Sequence, residues 1–286
     1  MTNSMATFEK TLTVVVAGLL VIALAALFVV TREPRRGDFH FAFLDVGQGD
    51  GTLIFLDAKT QMLVDCGPSR AVLQGLGRQM PFFDRTIEYL VVTHPDLDHY
   101  LGCMDVLARY RVERVWWTGR DNANDAQWPV FKENVAREGA EVHLIDRAER
   151  QDIGETVIEI FYPDHPVANE KMSAKSGDNN TSVVMRVQNG VLSALLTGDA
   201  EEELEHHLVQ EYGARLHAKI LKAGHHGSNS SSGQEFLDAV SPDMAVFSAG
   251  KNNKYGHPAE RVLRRLERAG AAIRRTDVEG DVLYYP

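Results

Sequence analysis

The sequence predicts a layered α/β domain preceded by one apolar segment. Three observations predict it: an uncharged stretch of twenty residues from Thr11 to Val30, a first group of short apolar runs separated by Gly, Asp or Lys, and then similar runs alternating with amphipathic stretches to the C-terminus. Short β-branched and aromatic runs bounded by turn residues read as strands, and their alternation with helical stretches builds layers.

The uncharged stretch, TLTVVVAGLLVIALAALFVV, has the length that a helix rising about 1.5 Å per residue needs to cross about 30 Å of hydrocarbon. It is read as a transmembrane helix over 11–31, after a short tail (1–10) and before a linker (32–36). A buried core helix is the soluble alternative. A cleaved signal peptide is the other, but the run is longer than such regions and ends in Leu-Phe-Val-Val without a small-x-small site. Lys10 precedes the segment and Arg32, Arg35 and Arg36 follow it, which leans the C-terminal domain toward the cytoplasm.

Residues 37–286 contain no further spacer, charge block or repeat and read as one domain. FHFAFLDV, GTLIFLDA and QMLVDCG form a strand meander. They are followed by the strand IEYLVVTH, a helical stretch from His99 to Tyr110, the strand VERVWW, a helix from Trp128 to Glu138 and the strand AEVHLI. TVIEIFYP, TSVVMRV, VLSALLTGD, AKILKAG and MAVFSAG are later strands, and AEEELEHHLVQEYG, QEFLDAV and PAERVLRRLERAG are helices.

With 40 acidic against 30 basic residues the formal charge is -10, which argues against a protein that coats nucleic acid by charge alone. Cys66 and Cys103 are the only cysteines, so neither a disulfide framework nor a thiolate zinc cluster is expected. Any metal site is then built from His and carboxylates.

His94, Asp96, Asp98 and His99 fall within six residues after the apolar strand LVVT, at the strand end where α/β folds place active sites. Their spacing lets them diverge to two ions, His94 and Asp96 toward one, Asp98 and His99 toward the other. The bland alternative is a polar turn with Asp98 as helix cap. Two more strand ends carry such residues, Gly198-Asp199 and His225-His226. A carboxylate at Asp199 suits a bridging role, and one imidazole of the pair would complete the second site. His257, in NNKYGHP, is a further candidate, with a helix-start role as its alternative. Gly47-Gln-Gly49-Asp-Gly51 reads as a tight turn between strands, because no helix N-terminus follows it to hold a phosphate. His206 and His207 read as solvated, Ser228 to Ser232 as a flexible loop without a serine nucleophile, and Arg261, Arg264, Arg265 and Arg268 as a solvated helix face, with phosphate guidance as the alternative.

THPDLDH (93–99) resembles the metal-binding signature of metallo-β-lactamase-fold hydrolases, with Asp65, Asp199 and His225 at the positions of their early Asp, bridging Asp and late His. LDVGQGDG, THPDLDHYLG, NNTSVV, LTGDA, KAGHHGS and NKYGHP together resemble the hydrolase domain of the ComEC competence proteins, a DNA-uptake channel family. That resemblance implies a four-layer αββα sandwich over 37–286 and two divalent ions, Mn²⁺ or Zn²⁺, on His94, Asp96, Asp98, His99, Asp199 and His225. It implies catalytic roles for Asp98, His226 and His257, and substrate contacts for Asn180, Ser228 and Tyr255. Asp96 replaces a histidine of the general signature, and Asn179-Asn180 stands where another is usual, so the donor set is richer in oxygen and shifts toward Mn²⁺. With one membrane segment, a channel is not expected of this chain. The expected activity is hydrolysis of single-stranded nucleic acid by a domain anchored in the bilayer. A hydrolase of small esters, thioesters or lactones and a catalytically silent tethered binding module are the alternatives.

Overall fold

The structure, a computed structural model, describes residues 12–24, 39–170 and 177–286. The chain divides into two compact units, Met1–Arg36 and Gly37–Pro286. In the first, residues 12–24 form a helix (α1) with exposed side chains. Thirteen residues rise about 20 Å, short of a bilayer core, and among the described residues no helix is long and apolar enough to cross a membrane. The spanning helix expected over 11–31 is therefore not found. Residues 11 and 25–31 of that span, the 1–10 tail and the 32–36 linker lie outside the described residues.

The second unit begins with β1 (His40–Phe43), β2 (Thr52–Phe55) and β3 (Gln61–Val64), then α2 (Ala71–Gln79), β4 (Thr86–Val91), α3 (Leu97–Tyr100) and α4 (Cys103–Leu107). β5 (Arg111–Trp117), α5 (Trp128–Glu138), β6 (Glu141–Leu144), β7 (Glu149–Ile153), β8 (Thr156–Tyr162), β9 (Val184–Asn189) and β10 (Leu192–Leu196) follow. The chain ends with α6 (Glu202–Tyr212), β11 (Ile220–Lys222), α7 (Gln234–Val240), β12 (Met244–Phe247), α8 (Glu260–Arg268), β13 (Ala272–Arg275), α9 (Thr276–Glu279) and β14 (Val282–Tyr284).

The strands form two seven-stranded sheets, ordered β14-β1-β2-β3-β4-β5-β6 and β13-β12-β11-β10-β9-β8-β7. Each changes along its width from an antiparallel meander to parallel strands: β3 to β6 are parallel in the first, β10 to β13 in the second. The parallel strands carry their C-terminal ends to one rim, where the site lies.

Three apolar cores separate the layers. Alternation along β1 shows how: Phe41 and Phe43 enter the core between the sheets, whereas Ala42 and the following Leu44 enter the core under α2, α4 and α5. Leu192, Ala194 and Leu196 of β10 meet Phe41 and Phe43 in the middle core, while Leu195 faces α6, α7 and α8. A strand covered on both faces reads as a continuous apolar run, which is why LSALL is legible as a buried strand. The layer order is helix, sheet, sheet, helix.

Five elements of the second unit escape the sequence patterns: α2, β7, β13, α9 and β14. β7 reads Glu-Arg-Gln-Asp-Ile at a sheet edge, so its pairing with β8 leaves no apolar signature. β14 pairs with β1 across almost the whole domain, a partner that local pattern cannot reveal. The stretch from His99 to Tyr110 is two short helices, separated at Gly102, where a Cβ would stand 2.2 Å from the Cys66 carbonyl oxygen.

Cys66 and Cys103 are joined by a disulfide, contrary to the expectation that two cysteines supply no framework. Both are fully buried, Cys66 after β3 and Cys103 at the start of α4. The pair was invisible in the sequence because α3 folds back on the β3 end only in three dimensions, through Cys66 N–H to His99 O and Gly102 N–H to Gly67 O. On the other side, the buried Glu205 carboxylate of α6 accepts N–H bonds from Ser232 (2.6 Å) and Gly233 (2.8 Å), fixing the serine loop that enters α7.

Two outcomes follow from these anchors. A 37-residue separation corresponds to about 4 kcal/mol of unfolded-state chain entropy. Cys66→Ala with Cys103→Ala is expected to lower the unfolding free energy by about 2–4 kcal/mol, read from the urea midpoint; an unchanged midpoint refutes this. Burial pushes the Glu205 carboxyl up to about 8 against the two N–H donors. The folded state thus keeps a proton that an unfolded glutamate releases near pH 4.5, so this contribution to stability is present below that pH and is lost as pH rises through about 8. Glu205→Gln is expected to flatten the fall in melting temperature over that window; an identical pH profile in both proteins contradicts it.

Candidate metal centre

Five chain segments end on the same rim. β3 is followed by Asp65, β4 by Thr93, His94, Asp96, Asp98 and His99, β10 by Asp199 and β11 by His225 and His226, while the β1–β2 loop supplies Asp50. Donor atoms of His94, His99 and Asp199 lie within 4.8 Å of one another, as do those of Asp98, His99 and His226, and those of Asp50, Asp199 and His226. His94 Nε2 is 3.6 Å from Asp96 Oδ2, and His99 Nε2 is 3.2 Å from Asp199 Oδ1. His226 Nε2 lies 3.3 Å from Asp98 Oδ2 and 3.5 Å from Asp199 Oδ2.

The three imidazoles share one arrangement. His99 Nδ1 is held by Asp65 Oδ2 at 2.8 Å, and Asp65 is itself fixed by the N–H and hydroxyl of Thr93. His94 Nδ1 faces the hydroxyls of Thr93 (3.1 Å) and Ser182 (3.2 Å). His226 Nδ1 donates to the Ser248 carbonyl at 3.0 Å and lies 3.1 Å from Asp50 Oδ1. In each ring Nδ1 is occupied, whereas Nε2 is buried without a hydrogen-bond partner among the described residues, as are Asp199 Oδ1 and Asp50 Oδ1. Buried polar atoms are rarely left so. Imidazoles held at one nitrogen and open at the other are how proteins orient metal ligands. The donor set therefore fits divalent cations.

Charge at the cluster follows from its packing. Burial alone would raise the Asp98 carboxyl, but the facing imidazoles of His226 and His99 outweigh it and bring it down to about 2. Asp199 is held well below the usual carboxylate range by His226 and His99, against its own burial. Burial would lower His226, yet Asp199 and Asp50 raise it to about 9. For His257, burial and the neighbouring imidazoles of His226 and His225 outweigh the pull of Asp199 and Asp98 and bring it down to about 4.

Local backbone is shaped to present these groups. His225 and His226 both adopt left-handed conformations (φ 46° and 53°), as does Asp65 (φ 58°). Such residues cost about 1–2 kcal/mol each, and three of them meet at one site. Gly49 is required by close approach, since a Cβ there would stand 2.2 Å from the Asp98 carbonyl oxygen. The Gly-Gln-Gly-Asp segment is a turn between antiparallel β1 and β2, and it also docks on the metal-ligand loop through Asp50 N–H to Asp98 O.

Of the residues singled out in the sequence, His94, Asp96, Asp98, His99 and Asp199 come together. The histidine that joins them most closely is His226. His225 is turned outward, with Nδ1 3.2 Å from Glu201 Oε1 and Nε2 3.8 Å from Asp199 Oδ2. His99 stands between the two donor groups instead of belonging with Asp98 alone. Asn180 is spent on the loop after Asp199, accepting from Glu201 N–H and reaching Glu203. The Ser228 hydroxyl bonds within its own loop to Ser230. His257 lies 5.6 Å, ring to ring, from His225, and Tyr255 stacks on it at 5.6 Å with its own ring largely exposed. His206 and His207 pair with Glu235 and Asp164 away from the centre, while Arg261 and Arg265 pair with Glu202 and Arg264 with Glu260. Sequence reasoning missed Asp50, Lys222, Ser182 and Glu201. Lys222 had left a signal, a lysine inside an apolar strand.

Beside Asp96 and Asp98 opens a cleft of about 830 Å³, lined also by Gln48, Asn122, Asn253, Lys254 and Tyr255.

The model of the metallo-beta-lactamase superfamily matches residues 44–251. The chain belongs to that superfamily. It is similar to ComE operon protein 3 of Bacillus subtilis, 28% identical over 94% of this chain and 36% of that protein. It is also similar to competence protein ComA of Neisseria gonorrhoeae, 31% identical over 82% of this chain and 30% of that protein. The chain thus spans about a third of the length of these relatives. Among solved structures, the metallo-beta-lactamase fold protein YhfI from Bacillus subtilis superposes with a TM-score of 0.57 at 12% identity, covering 87% of this chain and all of that one, a likeness of fold. Superfamily fold and donor groups together support a metal-dependent hydrolase.

The geometry separates the adjacent histidines. His226→Ala is expected to weaken divalent-metal binding about 10–100-fold, whereas His225→Ala keeps it within a few-fold, measured by competition with a chelator. The opposite order would give the ligand role to His225.

Proposed function

We propose that this chain is a two-metal phosphodiesterase acting on single-stranded DNA. The observation that carries the chemistry is the set of three buried imidazoles with Nδ1 held and Nε2 unpartnered around Asp199. His94, Asp96, Asp98, His99, Asp199 and His226 would hold the ions. The oxygen-rich set favours Mn²⁺ over Zn²⁺. Bound divalent ions supply Lewis acidity, acidifying a water and stabilising negative charge on phosphate oxygens.

The chain's own residues do the rest. Asp98, ionised and at the edge of the cleft, accepts a hydrogen bond from the attacking water and orients it. His257, held neutral, has one N–H to offer a phosphate oxygen. Tyr255 offers an exposed ring to a nucleobase and Lys254 a charge to the next phosphate, with Asn122 as an amide partner, while Asn253 is spent on shaping the loop that carries them. The competence names of the relatives support DNA as the polymer.

The apolar run from Thr11 to Val30 supports attachment to a bilayer. The Cys66–Cys103 bridge supports a domain on the oxidising side, opposite to the lean of the three arginines.

The test is cleavage of an end-labelled single-stranded oligonucleotide with added Mn²⁺ or Zn²⁺. Asp199→Asn is expected to lose at least about a hundredfold in rate. Tyr255→Ala is expected to lose about tenfold in kcat/KM on the oligonucleotide, the scale of one lost base stack, with little change on a bis-aryl phosphate. Metal-loaded wild type that cleaves small esters and no oligonucleotide refutes the DNA reading, and an Asp199→Asn variant with full activity refutes the mechanism.

A further inference from the structure

Lys222 is among the largest fully buried side chains, at 2% exposure, and none of the steps above uses it. Its ammonium forms an ion pair with Asp50 Oδ2 and donates to the Gly198 carbonyl at 3.3 Å. The other oxygen of Asp50 lies 3.1 Å from His226 Nδ1 as an ionic contact, without a hydrogen bond of its own among the described residues, because that nitrogen bonds the Ser248 carbonyl. A buried lysine is costly unless paired, and this one is placed where three site segments meet: the β1–β2 loop, the residue before Asp199, and the end of β11 that leads to His226.

The cluster is also unbalanced in charge. Asp50, Asp65, Asp96, Asp98 and Asp199 bring five carboxylates into the rim. With the imidazoles neutral, as metal ligands are, one ammonium leaves an excess of four negative charges, which two divalent cations would neutralise. Without Lys222, Asp50 would be a fifth uncompensated carboxylate, free to turn toward the open donor atoms.

We infer that Asp50 and Lys222 are positioning residues for the metal centre: Lys222 pins one oxygen of Asp50, so that the other keeps a negative charge beside Nδ1 of His226, whose ring is held through the Ser248 carbonyl with Nε2 facing the site. A carboxylate on the far nitrogen of a ligating imidazole fixes its orientation and strengthens it as a donor, and loss of such a partner costs about 10–100-fold in metal affinity. This rests on the metal reading above and extends it to Lys222, which offers no donor, and to an Asp50 held back from the ions by it.

Titration with Co²⁺ tests it, because visible d–d absorption reports ligand geometry independently of turnover. Asp50→Asn combined with Lys222→Met removes the pair with no change in net charge. This double variant is expected to fold and to bind Co²⁺ at one of its two positions about 10–100-fold more weakly, with an altered spectrum. Lys222→Arg, which keeps a cation beside Asp50, is expected to retain most of the affinity that Lys222→Met loses; it decides the question if the double variant does not fold. Wild-type affinity and spectrum in a folded double variant, or equal behaviour of the Arg and Met variants, overturns the inference. Wild-type protein that takes up no Co²⁺, Mn²⁺ or Zn²⁺ would instead sink the metal reading itself.

Discussion

The constraint on which this structure depends is like charge confined to one rim. Asp50, Asp65 and Asp199 are buried, Asp96 and Asp98 are half-buried, and all reach one group of imidazoles. Buried carboxylates of the same sign cannot stay ionised side by side without compensation. Each has a distinct answer in the fold. Asp65 receives the Thr93 N–H and hydroxyl and faces His99. Asp50 is pinned by Lys222. Asp199 faces His99 with Oδ1 and His226 with Oδ2, and these imidazoles hold its charge against its burial.

The architecture around the rim follows from that need. A site drawing on both sheets must bring strand ends from each to the same place. The two halves achieve this by the same change from antiparallel meander to parallel strands. Parallel strands deliver the loops after β4, β10 and β11 to one side, and the middle core of Phe41, Phe43, Leu196 and Val246 holds the two sheets in register beneath them. The strained conformations of Asp65, His225 and His226 persist because their surroundings determine them: Gly227 packs so closely on Phe247 that a Cβ would stand 2.6 Å from its ring. The Cys66 bridge fastens the Asp65 strand end to the helix that follows His99, closing covalently around the segment that carries most of the donors.

Much of this was legible in the sequence, for a physical reason. Strands covered on both faces must be apolar without interruption, so LSALL and MAVF announce themselves, and polar residues that break such a run at its end stand out as chemistry. His94, Asp96, Asp98, His99 and Asp199 were visible in that way. Less legible were groups whose role depends on a partner distant in sequence. Asp50 looked like a turn residue because nothing local tells that its loop docks on Asp98 and meets Lys222, which lies 172 positions later in the chain. The choice between His225 and His226 was equally closed to sequence: adjacent residues differ only in where two left-handed turns point them. The disulfide belongs to the same class, since proximity of Cys66 and Cys103 exists only once α3 has folded back.

The net charge of the chain, which argued against a nucleic-acid-coating protein, bears differently on the site. With two divalent cations bound, the five carboxylates and Lys222 sum to neutrality. A phosphodiester reaching the metals would then meet neither a repulsive nor a strongly attractive centre. Attraction would come at short range from the ions' free coordination positions, from Lys254 at the cleft and from the Tyr255 ring. An acidic surface around such a centre disfavours lengthwise binding of a polyanion, because binding along a strand gains most of its affinity from displaced counterions at successive cations. On the proposed function it would leave recognition of a single strand at the metals intact. Affinity would then reside in the few groups that also perform the chemistry, and the acidic balance would favour strands that can enter the cleft.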